Sequence, residues 1–124
     1  MDLGTRPIDL TQNSALDLLI CNGNQFASLD LTKNTALTYL SCYGNILKSL
    51  DVTQNTALTG LNCDDNQLTN LDLSQNTALT QLICSNNLLT RIDLSTLDSL
   101  KKLTCFNNKL SSLDVTQNSA LTDL

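Results

Sequence analysis

The chain of 124 residues contains no histidine, no tryptophan and no glutamate, and its one proline is Pro7. Without histidine there is no Ser-His-Asp or Cys-His couple, no imidazole base and no zinc site with an imidazole ligand. Basic residues are also scarce. Seven Lys and Arg against twelve acidic residues give a formal charge of −5, the wrong sign for a nucleic-acid or anionic-membrane binder, which needs a basic face. No apolar run approaches the roughly 18 residues of a membrane span. Aromatic residues make up only 3% of the chain. What is present is concentrated: 28 leucines, 15 asparagines and five cysteines, in a chain that is 41% hydrophobic. That apolar content is too high for a disordered segment, so the chain folds.

The cysteines supply the period. Cys21, Cys42, Cys63, Cys84 and Cys105 are each 21 residues apart, and a fixed spacing of this size marks a repeat architecture. Copies begin at Ile8, Leu29, Leu50, Leu71, Ile92 and Leu113, five of them complete and the last running to Leu124, with no insertion or deletion. Residues 1–7 form no part of a copy and are expected to be an irregular lead or a recombinant remnant.

Each copy holds the same pattern twice. Leu37-x-x-Leu40-x-Cys42-x-x-Asn45 is followed by Leu47-x-x-Leu50-x-Val52-x-x-Asn55. Alternation around Leu40-x-Cys42 and around Leu50-x-Val52 predicts a short strand on each of two sides, with one face of each buried. The Asn that closes each half is expected at a corner, where it tolerates left-handed backbone and its amide bonds the chain. No stretch carries apolar residues at helical spacing. Turns stacked about 4.8 Å apart give a body roughly 26 Å long. The inward columns are Leu16-Leu37-Leu58-Leu79-Leu100-Leu121, Leu19-Leu40-Leu61-Leu82-Leu103-Leu124 and Phe26-Leu47-Leu68-Leu89-Leu110. No single copy closes a core, so stability comes from stacking on neighbours. The file Asn24, Asn45, Asn66, Asn87, Asn108 is expected to satisfy corner backbone groups that strand pairing leaves free.

The cysteines occupy an inward position where the other half-copy has Leu or Val, which reads as small apolar filling by reduced thiols. In-register side chains lie about 4.8 Å apart and point the same way, whereas a disulfide wants Cβ atoms roughly 3.5–4.5 Å apart on converging vectors. A straight file of thiols cannot surround zinc tetrahedrally.

The phrase L-x-x-L-x-C-x-x-N-x-L-x-x-L-D-[LV]-[ST]-x-N-x-x, carried without interruption over residues 8–124, resembles the 21-residue class of bacterial leucine-rich repeats, and within it the internalins that carry a cysteine ladder. The resemblance implies a β-rich solenoid, with a parallel sheet on the concave face, short extended segments on the opposite face and no long helices. It also implies a secreted or cell-surface parent protein that binds other molecules. No signal peptide, helical cap, immunoglobulin-like domain or sorting motif of such proteins is recognised in the sequence, so the chain reads as a fragment or an engineered array.

Comparing the copies shows which positions are free to vary. The outward residue of the second half is Asp9, Asp30, Asp51, Asp72, Asp93 and Asp114, the same each time. Outward residues of the first half differ: Leu18, Tyr39, Gly60, Gln81, Lys102, Asp123 in one column, then Ile20, Ser41, Asn62, Ile83, Thr104, then Asn22, Tyr43, Asp64, Ser85, Phe106. Three of the four aromatics fall here, and tyrosine and phenylalanine anchor interfaces because they bury large area with few rotors. Leu18, Ile20, Tyr39, Tyr43, Asp64, Ile83, Lys102 and Phe106 are therefore the candidate partner-binding residues, for a protein or glycan ligand. Scattered surface apolar residues are the plain alternative.

The repeated aspartates, like charges about 4.8 Å apart, are offset either by hydrogen bonds to the hydroxyls two residues on, at Thr11, Thr32, Thr53, Ser74, Ser95 and Thr116, or by calcium, for which one carboxylate per turn supplies few of the oxygens needed. The reading is a non-catalytic binding module with no cofactor, no metal, no nucleic-acid partner and no membrane insertion. A second reading is a structural array that pairs end to end through uncapped leucine columns and strand ladders.

Overall fold

The computed structural model describes residues 7–124, so of the expected lead only Pro7 falls within it. Each turn contributes one short strand: β1 (Leu18–Ile20), β2 (Tyr39–Ser41), β3 (Gly60–Asn62), β4 (Gln81–Ile83) and β5 (Lys102–Thr104). They pair in parallel in chain order, and the register pairs each residue with its equivalent in the next copy, Leu18 with Tyr39, Leu19 with Leu40 and so on. A bridge from Lys102 to Asp123 carries the sheet into the last turn. No helix occurs among the described residues. The result is a β-solenoid with the sheet on its concave face.

The strand's middle residue always points inward. Leu40, Leu61, Leu82 and Leu103 are buried to 1% exposure or less, and Leu37, Leu58, Leu79 and Leu100 are wholly buried beside them. Phe26, Leu47, Leu68 and Leu89 close the third column, also at 0%. Truncating any of these central leucines to alanine costs about 2–5 kcal/mol, because a neighbour one turn away cannot move in to fill the hole. At the ends the columns loosen: Leu16, Leu110 and Leu121 are only partly covered.

Strands form on one side of the coil only. The segments around Leu31, Leu50-x-Val52 and Leu73 are extended and buried on their apolar side, but they make no strand ladder. Their backbone is drawn into two successive tight turns per copy, seen in Asn34 N–H to Leu31 C=O (3.1 Å) and Leu37 N–H to Asn34 C=O (3.2 Å). The N–H donors spent within a turn are not available to pair with the next one. On the sheet side the ladder instead runs beyond the strands, from Thr38 N–H on Asp17 C=O to Gly44 N–H on Asp64 C=O.

The first asparagine file does what the pattern predicts. Asn66 donates through Nδ2 to the carbonyls of Cys42, Cys63 and Asp64 (3.1, 3.2 and 3.1 Å), and its Oδ1 accepts the Leu47 N–H at 3.0 Å. Asn45, Asn66, Asn87 and Asn108 thus each clamp their own turn to the one before it. The left-handed corner residue, however, is the one preceding this asparagine. Gly23, Gly44, Asp65, Asn86 and Asn107 all have φ between 52° and 69°, and glycine, aspartate and asparagine are the residues that enter this region at least cost.

Candidate recognition face

Along each strand the residues flanking the buried leucine point out from the sheet, so stacking turns aligns them in columns. At the first two turns Leu18 pairs with Tyr39 and Ile20 with Ser41. Leu18 (51% exposed), Ile20 (60%) and Tyr43 (45%) form an apolar patch there, and Phe106 (59%) stands near the other end. Lys102 is exposed on β5, while Ile83 and Asp64 lie half-buried between the two ends. The eight candidate residues thus lie on the outward side of the sheet, apolar at the first two turns, mixed in the middle, where Asp64 and Ile83 sit, and pairing the exposed Phe106 ring with the Lys102 charge at the fifth turn.

Three outward positions are less free than the pattern suggests. The Tyr39 ring lies against Gly60, where an added Cβ would come within 2.6 Å of Tyr39 Cδ2. Tyr39 is therefore half-buried by its own fold, and the missing side chain at Gly60 makes the seat. Ser41 is 4% exposed, and its hydroxyl donates to Asn22 Oδ1 at 2.8 Å, the same oxygen that accepts the Tyr43 N–H at 3.0 Å. Ser85 is fully buried. A small side chain in an outward column is covered by its larger neighbours.

The column Tyr43, Asp64, Ser85, Phe106 continues past the strands in register. Gly44 N–H bonds Asp64 C=O (3.1 Å), Asp65 N–H bonds Ser85 C=O (3.0 Å) and Asn86 N–H bonds Phe106 C=O (3.0 Å). Asn86 donates to Asp64 Oδ1 at 3.4 Å and receives Asn107 Nδ2 at 2.9 Å on its own Oδ1. Burial pushes the Asp64 carboxyl above its ordinary value.

The cysteine file lies behind this face. Cys42, Cys63 and Cys84 are wholly buried and Cys21 nearly so, all as free thiols. Burial pushes the thiol of Cys21 up to about 11 and that of Cys84 up to about 12, with Cys42 and Cys63 also raised. Buried thiols of this kind are poor nucleophiles, because the reactive thiolate is disfavoured. Cys105 departs from the expected burial: it is half-exposed.

On the opposite flank the aspartates are satisfied locally. Asp51 Oδ1 accepts both the Thr53 hydroxyl (2.6 Å) and the Thr53 N–H (2.9 Å), and Asp9, Asp30, Asp72 and Asp114 do the same with the residue two on. The hydroxyl bond first, and the N–H bond second, hold these carboxyls below their ordinary value. Inter-turn grooves of about 300 and 260 Å³ run beside them, flanked by Lys48 and Arg91 respectively. Among the described residues no group of three or more Asp or Cys side chains is placed to hold a metal ion.

The architecture, one parallel strand and one cysteine per turn with asparagine files along two sides, is that of a leucine-rich-repeat solenoid, and it is internalin-like. The functional domain of InlJ from Listeria monocytogenes, which includes a cysteine ladder, superposes with a TM-score of 0.91 at 46% identity, over 94% of this chain and 26% of that one. A leucine-rich-repeat protein of Leptospira interrogans gives a TM-score of 0.78 at 26% identity, over 93% of this chain and 38% of that one. Internalin C2 of Listeria monocytogenes shares the fold, with a TM-score of 0.66 at 24% identity, over 99% of this chain and 67% of that one. No protein-family model matches the chain, and no curated protein sequence does either. The chain therefore spans about a quarter of the InlJ domain's length.

Proposed function

We propose that the chain is a non-catalytic binding module, part of a secreted or cell-surface bacterial protein, that recognises a protein or glycan through the outward side of its sheet. The observation that carries this is where the large exposed apolar side chains fall. Leu18, Ile20, Tyr43 and Phe106 lie on the sheet face, whose residues differ from copy to copy, and Ile46 and Leu88 at the variable corner beside it, while the opposite flank repeats the same aspartate six times. Repeat proteins bind on such extended concave surfaces, and exposed aromatic and aliphatic groups grouped on one face are what an interface buries. Likeness to InlJ and other leucine-rich-repeat proteins supports the same reading. With no histidine in the chain the outward side chains present no imidazole base, and the interior of the described residues is filled with leucine.

The test is a binding screen against extracellular proteins and oligosaccharides. For any ligand found, the triple variant Leu18→Ser, Ile20→Ser, Tyr43→Ala is expected to weaken binding at least about tenfold (~1.4 kcal/mol) with little change in melting temperature. Binding that survives this variant but is lost on Asp72→Lys would move the site to the aspartate flank.

A further inference from the structure

Asp64 differs from every aspartate on the opposite flank. Asp9, Asp30, Asp51, Asp72 and Asp114 each take two short hydrogen bonds within their own turn. Asp64 receives only the Asn86 amide, at 3.4 Å, and the nearby Asp65 N–H. No basic side chain of the described residues acts on it, and the charge that does, Asp65, is of like sign. It is also partly desolvated. A half-buried carboxylate without a cation is costly alone and rewarding to pair. One turn away in the same column stands the exposed ring of Tyr43, and two turns away on the other side that of Phe106, with the fully buried Ser85 between. Turns about 4.8 Å apart put the Tyr43 ring within reach of a cation seated at Asp64, inside the roughly 6 Å at which a cation meets an aromatic face. Phe106 then lies about 10 Å along, where an apolar neighbour of that cation would come.

We propose that Tyr43, Asp64 and Phe106 form the anchoring subsite of the recognition face, and that its occupant is a protein segment presenting an arginine or lysine beside an apolar side chain. The cationic head pairs with Asp64 and lies against Tyr43, and the apolar neighbour covers Phe106. The charge of the chain, −5, draws such a segment in. Lys102, exposed at the far edge of β5, repels a second cation there and so fixes the direction in which the segment lies.

This rests on the binding-face reading, and the experiment separates the two. The ¹⁵N-labelled chain is titrated with a short peptide holding one arginine between leucines, and with the same peptide carrying citrulline, which keeps the shape and removes the charge. A single anchor of this kind binds in the millimolar range, so titration runs to about 10 mM. The arginine peptide is expected to shift the amides of Tyr43, Asp64 and Phe106, and its affinity to fall at least about fivefold with citrulline, with Asp64→Asn and with Tyr43→Ala. Asp64→Asn keeps the side-chain shape and is expected to keep the melting temperature. Equal binding of both peptides, shifts confined to the aspartate flank, or no shift by the end of the titration overturns the proposal. If the citrulline peptide or chitotetraose moves Tyr43 and Phe106 as strongly, the cationic anchor falls and the binding face stands. If neither peptide nor sugar perturbs any outward residue of the sheet, the anchoring subsite falls, and the binding face stands or falls on the ligand screen alone.

Discussion

Each turn has two halves built on one pattern, and they hold the coil together differently. The sheet half, around Leu61 and Cys63, joins turns by backbone hydrogen bonds and by asparagines whose amides are fully used. The opposite half joins turns mainly through the second asparagine file. Asn55 donates to Leu31 C=O (3.1 Å) and Asn34 C=O (2.9 Å), 24 and 21 residues back. Its Oδ1, like those of Asn34, Asn76 and Asn118, is buried with no partner. An asparagine used only as a donor contributes less and is easier to replace. At the fifth turn it is replaced: Leu97 stands in the file, fully buried, and the tight turn to Leu94 persists at 3.1 Å. The same half carries the constant aspartates, while the sheet half carries the varied surface. Rigid pairing of backbone is what leaves the outward side chains of the sheet free to differ.

That contrast is sharpest at the asparagines. Asn66→Leu leaves the buried Leu47 N–H without an acceptor and takes one of two donors from the carbonyls of Cys42, Cys63 and Asp64, which keep Asn45, Asn87 and the Gly44 N–H, and is expected to cost about 2–3 kcal/mol in urea unfolding. The next effect is alkaline. Burial raises the thiols, so above the unfolded thiol's value, near 8.5, the unfolded chain has lost a proton that the folded chain keeps. Stability is then whole below that value and declines as pH rises toward the folded one. Each buried thiol costs about 2 kcal/mol by pH 10. Cys63→Val, which copies Val52 of the other half, is expected to flatten the fall between pH 7 and 10 under reducing conditions.

Asn55→Leu should cost about 1 kcal/mol or less, since it loses two donated bonds but removes an unpaired buried oxygen. A loss equal to that of Asn66→Leu would erase the distinction between the two files. The smallest effect is acidic. Hydrogen bonding lowers the exposed aspartates in the folded state, so the stability they add is present above the unfolded carboxyl value, about 3.9, and is lost as pH falls through the folded ones. Asp51→Asn should shallow that decline slightly, seen as a smaller drop in melting temperature from pH 5 to 3.

Much of this was legible in the residues. The 21-residue spacing of Cys21 to Cys105 gave the register directly, because any slip between turns would break all three leucine columns at once. The roles of Asn66 and of the Asp51–Thr53 pair were readable because each depends on neighbours close in sequence or one period away. The left-handed corner was also written there, as Gly23, Gly44, Asp65, Asn86 and Asn107 in one column. The repeated pattern alone points instead to the more conspicuous asparagine beside it. Leu97 was an equally visible break in a file. The face itself was less readable. Nothing in a column of outward residues says that Tyr39 folds onto Gly60 or that Ser85 is covered.

The sequence by itself determined the coil, its period, its interior and the identity of its variable face, because those follow from local alternation repeated at a fixed interval. The tertiary structure decided that only one half of each turn would become a sheet, since the competing tight turns consume backbone N–H donors on the other half. It also decided which outward side chains remain exposed, because burial there depends on the sizes of the residues one turn above and below.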